Sequence, residues 1–181
     1  DDLALGTVNE VLGGMFTSRL NMNLREDKHW SYGVRTALYD ARGQRPLLVV
    51  APIELAHTTD AMNEMLKEIH GIAGDKPITP EELTAAKNNQ TLKLPGEHET
   101  AGAILDTLTH AVAFNLPADY YAQLVSRVRA QTSDELLGVA KTHLQANSLV
   151  WVVVGDLSKI EKEVRTWAKT QNADVQVMEA Q

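Results

Sequence analysis

The chain has 181 residues, 17 Lys plus Arg against 24 Asp plus Glu, and a formal net charge of −7. An apolar fraction of 44% beside 23% charged residues is ordinary globular composition, which excludes a disordered tail and suits one domain over residues 1–181. Acidity without a basic cluster argues against nucleic acid as a partner. Zero cysteines remove disulfides and thiolate chemistry, and no apolar run approaches the roughly 20 residues of a membrane-spanning helix.

In chain order, Leu3, Leu5, Val8, Val11, Leu12, Met15 and Phe16 recur at helical spacings and predict a helix bent or broken at Gly13-Gly14. Ser18–Arg25 predicts a second helical piece with Leu20 and Leu24 on one face. The period then changes. Ser31–Tyr39 and Arg45–Glu54 are β-rich and flank a loop at Asp40–Gln44, the pattern of an antiparallel hairpin. Thr58–Ala73 returns to helical spacing through Ala61, Met65, Leu66, Ile69 and Ile72.

Thr79-Pro80-Glu81-Glu82 combines a Thr N-cap, Pro at the first helical position and Glu at the third, so two orphan backbone donors are satisfied reciprocally. Pro95-Gly96 is expected to end that helix. Thr100–Phe114 carries Ile104, Leu105, Leu108, Ala111 and Val112 on one side. Pro117 opens the next helix through Val128, and Thr132-Ser133-Asp134-Glu135 repeats the capping logic before Leu136–Leu144. The β-branched run Leu149–Val154 predicts a strand, Asp156 or Ser158 caps a last helix, and Asp174–Met178 is a weak further strand. These elements predict an α/β (α+β) two-layer sandwich, a mainly antiparallel sheet covered by helices. Few strands stand against many helices, which leads to the expectation that the first strands of the sheet lie upstream of Asp1.

Metal chemistry requires converging ligands, and no two of the six histidines are four apart, so neither H-E-x-x-H nor H-x-x-E-H is present. No metal ligands are assigned in this chain. Glu97-His98-Glu99 reads as a solvated triplet, because adjacent side chains diverge. No G-x-S-x-G nucleophile elbow occurs, and Gly13-Gly14 lacks the pattern of a phosphate cradle. Trp30, Trp151 and Trp167 fit core or interface positions, and Met62 with Met65 fits core filling.

One stretch is distinctive: L-G-G-x-x-x-S-R-L over Leu12–Leu20, then Leu24-Arg25-Glu26, then Tyr32-Gly33. It resembles the signature of the second, non-zinc half-repeat of the pitrilysin (insulinase) family of zinc metallopeptidases. The likeness continues through Ile78–Leu83, Leu116–Tyr121, Thr132–Leu136 and Val152–Asp156, and covers essentially the whole chain.

The resemblance implies a modular protease in which homologous α/β domains enclose a chamber. The zinc sits in a different domain, on an H-x-x-E-H motif plus a downstream Glu. The present chain would be the inactive partner domain, without catalytic residues or a cofactor of its own. Its partners would be a zinc-bearing homologous domain, on the same or a separate chain, and a peptide substrate. The resemblance further implies that Arg25 and Tyr32, seven positions apart, reach the substrate beside the zinc. A guanidinium and a phenol are donors able to hold a peptide carbonyl. Read from the residues alone, Arg25 can equally complement a helix C-terminus or pair with Glu26 or Asp27, and Tyr32 can be an ordinary strand aromatic. A purely structural or assembly role, as in family members that hydrolyse nothing, is the alternative. Family habit suggests an exported, periplasmic bacterial location.

Overall fold

The computed structural model describes residues 2–178. Helix α1 (Asp2–Asn9) runs without interruption into a π-helical turn, Glu10–Gly14, and α2 (Arg19–Asn21) into a second π turn, Met22–Asp27. Val8, Val11, Leu12, Leu20 and Leu24 are buried along these two segments, which fixes their inward faces. Gly13 ends the first apolar run where a side chain has no room: a Cβ there would lie 2.4 Å from Thr36 Cγ2. The hairpin follows. β1 (Arg35–Leu38) pairs antiparallel with β2 (Leu47–Val50), Arg35 opposite Val50 and Leu38 opposite Leu47, and a single bridge joins Ser31 to Ile53.

Helix α3 (Thr58–Ile72) buries Ala61, Met62, Met65, Ile69 and Ile72 as one stripe. The capping box at the start of α4 (Pro80–Leu92) forms as the sequence predicts. Thr79 Oγ1 accepts from Glu82 N at 3.2 Å, and Glu82 Oε2 accepts from Thr79 N at 2.9 Å. The remaining helices are α5 (Leu94–Glu97), α6 (Ala101–Ala113), α7 (Tyr120–Ala130), α8 (Ser133–His143) and α9 (Leu157–Thr170). Thr132 caps α8 and Asp156 caps α9. The core centres on Leu12, Leu20, Leu24, Ile72 and Leu136, where α1 packs on α8 and α3 on the chain around the π turns.

Several expectations are corrected. The described residues form a mostly helical fold with a small two-stranded antiparallel sheet. Leu149–Val154 is not a paired strand, and neither is Asp174–Met178. β-Branched side chains favour an extended backbone, but a strand exists only where a second backbone meets it, and neither run meets one among the described residues. Val150, Val152 and Val154 are exposed, while Trp151 sits edge-on to Trp167 at 5.2 Å. An apolar groove separates β2 from this run, floored by Met62, Met65 and Ile69 of α3. Helix α4 ends at Leu92, just ahead of Pro95-Gly96, but the pair itself is not left in a loop. It lies inside α5, where Pro at the first turn has no intrahelical donor to forfeit. Helix α7 begins at Tyr120, three residues beyond Pro117. The apolar side of α6 is also uncovered: Ile104, Leu105, Leu108 and Val112 are all exposed.

Candidate substrate-holding site

Arg25 stands in the second π turn. The wider turn is visible in its closing bond, Lys28 N to Asn23 O at 3.0 Å, one residue longer than an α-helical bond. His29 then takes a left-handed conformation (φ 59°) and Trp30 N returns to Leu24 O at 2.9 Å, which closes the helix and reverses the chain. Next, Trp30 O accepts from Glu54 N at 2.9 Å and Ser31 Oγ donates to Pro52 O at 2.7 Å, so the backbone is pinned beside the end of the hairpin. Tyr32 follows that pin directly.

Both residues expected to hold substrate are free of the core. Tyr32 is 99% exposed, and its hydroxyl makes no hydrogen bond among the described residues. The Arg25 guanidinium lies over the Phe16 ring, 4.5 Å from its centroid, with Nε 3.4 Å from Glu26 Oε1. The pairing of Arg25 with Glu26 is therefore real, but it engages only Nε and leaves the terminal nitrogens without a partner among the described residues. Arg25 and Tyr32 line one open cavity of about 440 Å³, together with Phe16, Asn21 and the backbone of Gly13-Gly14. Exposed phenol and guanidinium groups on one concavity are donors available to a peptide carbonyl or carboxylate.

Sequence reasoning missed three residues around this site. Arg19 binds both carboxylate oxygens of Glu82, at 2.7 and 2.6 Å, and the carbonyls of Lys76 (2.5 Å) and Pro77 (2.9 Å). The Arg of S-R-L thus serves the fold, locking α2 to the start of α4. Burial pushes the Glu82 carboxyl up, but hydrogen bonds from Arg19 and Thr79 outweigh it and hold the group below the usual carboxylate range. Buried Asn21 donates to Phe16 O at 2.6 Å and accepts from Val34 N at 3.0 Å, tying two segments of the cavity wall together. Phe16 lies beneath Arg25. The only sequence signal for Asn21 was a polar residue on the apolar face between Leu20 and Leu24.

A second polar cluster lies away from the cavity. His110 Nδ1 meets the Tyr121 hydroxyl at 2.8 Å and Nε2 meets Asp40 Oδ2 at 3.0 Å, joining the hairpin loop to α6 and α7. Burial, with Tyr120 and Asp40 nearby, raises the Tyr121 phenol above its ordinary range. Among the described residues no three His, Asp or Glu side chains converge as a metal-ligand set. His98 of the Glu97-His98-Glu99 triplet folds back on its own turn, Nδ1 2.8 Å from Leu94 O. No helix is long and apolar enough to cross a membrane among the described residues.

Residues 1–90, which hold the L-G-G, S-R-L, L-R-E and Y-G elements and the whole cavity, match the model of the peptidase M16 inactive domain. The chain belongs to the peptidase M16 family. No curated protein sequence matches it. The fold of this M16 inactive domain is similar to a peptidase M16 inactive domain from Pseudomonas fluorescens, with a TM-score of 0.71, 22% identity, and coverage of 81% of this chain and 35% of that one. It is also similar to a protease from Helicobacter pylori, with a TM-score of 0.66, 16% identity, and coverage of 80% and 34%. A candidate zinc protease from Bordetella pertussis Tohama I gives a TM-score of 0.64, 18% identity, and coverage of 79% and 78%. The chain spans about a third of the length of the first two structures.

Proposed function

We propose that this M16 inactive domain is the non-catalytic, substrate-holding half of a zinc metalloendopeptidase. It forms part of a chamber wall and presents Arg25 and Tyr32 to a peptide cleaved at a zinc held by a homologous domain. The observation that carries the reading is the pairing of an unengaged phenol with a partly engaged guanidinium on one open cavity. The phenol O–H and the guanidinium N–H groups donate to the scissile carbonyl or its neighbour, and gain strength as the closing halves exclude water. Neither group activates water, so hydrolysis depends on the zinc-bearing partner.

The groove between β2 and Leu149–Val154 supports the finer layering as well. Its two walls are the free edge of β2 and the unpaired run Leu149–Val154, so one further extended segment seated between them would make a broader sheet with α3 on one face.

The experiment is reconstitution. The chain with zinc and an unstructured peptide is expected to give no cleavage, and addition of the zinc-bearing half is expected to give cleavage. Robust cleavage by the chain alone would overturn the assignment. The exposed apolar side of α6 favours the second reading, an assembly module without substrate contact. That reading wins if Arg25→Ala and Tyr32→Phe leave turnover intact while Leu108→Lys on α6 abolishes association of the halves.

A further inference from the structure

An arginine on a helix end has several freely rotating side-chain torsions, and a donor that must meet one carbonyl loses binding free energy for every rotamer it gives up. The cavity holds a device that restricts Arg25 before any ligand arrives. The Phe16 ring lies 4.5 Å beneath the guanidinium carbon, within the range where a cation is drawn to the face of an aromatic ring. Phe16 is itself fixed through its backbone rather than its exposed side chain. Met15 leaves the first π turn in an extended conformation, Ser18 N returns to Met15 O at 3.1 Å, and Asn21 Nδ2 donates to Phe16 O at 2.6 Å.

Asn21 lies one helical turn before Arg25, and its other amide atom accepts from Val34 N, two residues past Tyr32. One buried amide therefore sets the heights of the Phe16 platform and the Tyr32 segment relative to the helix that bears Arg25. Phe16 is two-thirds exposed, so the core has no need of an aromatic ring there.

We infer that Phe16 is a positioning residue: its ring seats the Arg25 guanidinium over the cavity, and Asn21 holds that platform in register with Tyr32. The inference rests on the substrate-holding role proposed for Arg25, and it acts through Arg25 rather than by direct contact with the peptide.

Two readouts test it. In NMR spectra of the chain alone, the Arg25 side-chain protons should carry an upfield ring-current shift. That shift should vanish in Phe16→Leu and persist in Phe16→Trp. In the chain combined with its zinc-bearing half, Phe16→Leu should lower kcat/KM roughly 2- to 5-fold, the range of an exposed cation–π contact, and Phe16→Trp should restore it. In an Arg25→Ala background, Phe16→Leu should have no further effect. Unshifted Arg25 protons in the parent chain overturn the inference, as does a Phe16→Leu loss that survives in the Arg25→Ala background. Arg25→Ala without effect overturns the substrate-holding role, and this inference with it. Arg25→Ala with effect beside a neutral Phe16→Leu overturns this inference alone.

Discussion

Arg19 and Glu82 form a two-pronged ion pair across 63 positions of sequence, Nε to Oε1 at 2.7 Å and Nη2 to Oε2 at 2.6 Å. The Glu82 oxygen that meets Nη2 also accepts from Thr79 N, so one carboxylate closes the capping box of α4 and anchors α2. The second π turn, with Arg25, grows directly out of α2. The geometry of the site therefore depends on a pair that never touches it.

Removing Arg19 breaks the pair, frees two carbonyls and strands a half-buried carboxylate. Arg19→Ala is expected to destabilise the chain by about 2–4 kcal/mol, measured by urea denaturation. Arg19→Lys should recover only part of this, because an ammonium cannot engage both oxygens and both carbonyls in one plane.

The same pair sets an acid limit. The Glu82 carboxyl lies below its ordinary range in the folded chain, so the unfolded chain binds its proton more readily. Its stabilising contribution is complete above the ordinary carboxylate pKa and is lost as pH falls through the lower folded value. Acid titration of stability should show this loss in the parent chain, and the Glu82→Gln variant should show a shallower decline over the same window.

Two glycines of the signature differ in what they permit. A Cβ on Gly13 would lie 2.4 Å from Thr36 Cγ2 and 2.7 Å from its Oγ1, both in the packed junction of the first π turn and β1. Gly13→Ala is expected to cost about 1–3 kcal/mol. A Cβ on Gly33 meets nothing nearer than Asn21 Oδ1 at 3.7 Å, and no left-handed conformation is required there. Gly33→Ala should change stability by less than about 0.5 kcal/mol. Thermal melts of the two variants check both.

The parts of the fold legible in the sequence are those decided within one turn of chain. The Thr79 box, the Thr132 and Asp156 caps and the buried stripe of α3 each follow from residues two to four apart. The Leu149–Val154 run shows where such reasoning stops. Its β-branched side chains favour an extended backbone, but pairing depends on a distant backbone that the local pattern does not encode. The π turns were also illegible, because one extra residue in a helix is accommodated by packing, and no residue at Glu10–Gly14 or Met22–Asp27 demands it. At the candidate site, the resemblance singled out Arg25 and Tyr32, and the structure brings the two together on one open cavity. Arg19, Asn21 and Phe16 were not legible, because their roles rest on partners brought close only by folding.

If Arg25 and Tyr32 serve a ligand rather than the core, the fold should hardly register their loss. Arg25→Ala and Tyr32→Phe are each expected to shift stability by less than about 0.5 kcal/mol, since one side chain is partly solvated with a single weak ion pair and the other has no partner. Chemical denaturation of the chain alone measures this, and a loss above about 2 kcal/mol would mark either residue as structural.

The most direct measurement is the effect of Tyr32→Phe on kcat and KM, with the zinc-bearing half present and a fixed unstructured peptide as substrate. A phenol that donates to the reacting carbonyl should show its loss mainly in kcat, by about 10- to 1000-fold, with zinc content and association of the halves unchanged. Unaltered kcat and KM would contradict the account and leave the domain as a wall that the substrate does not touch.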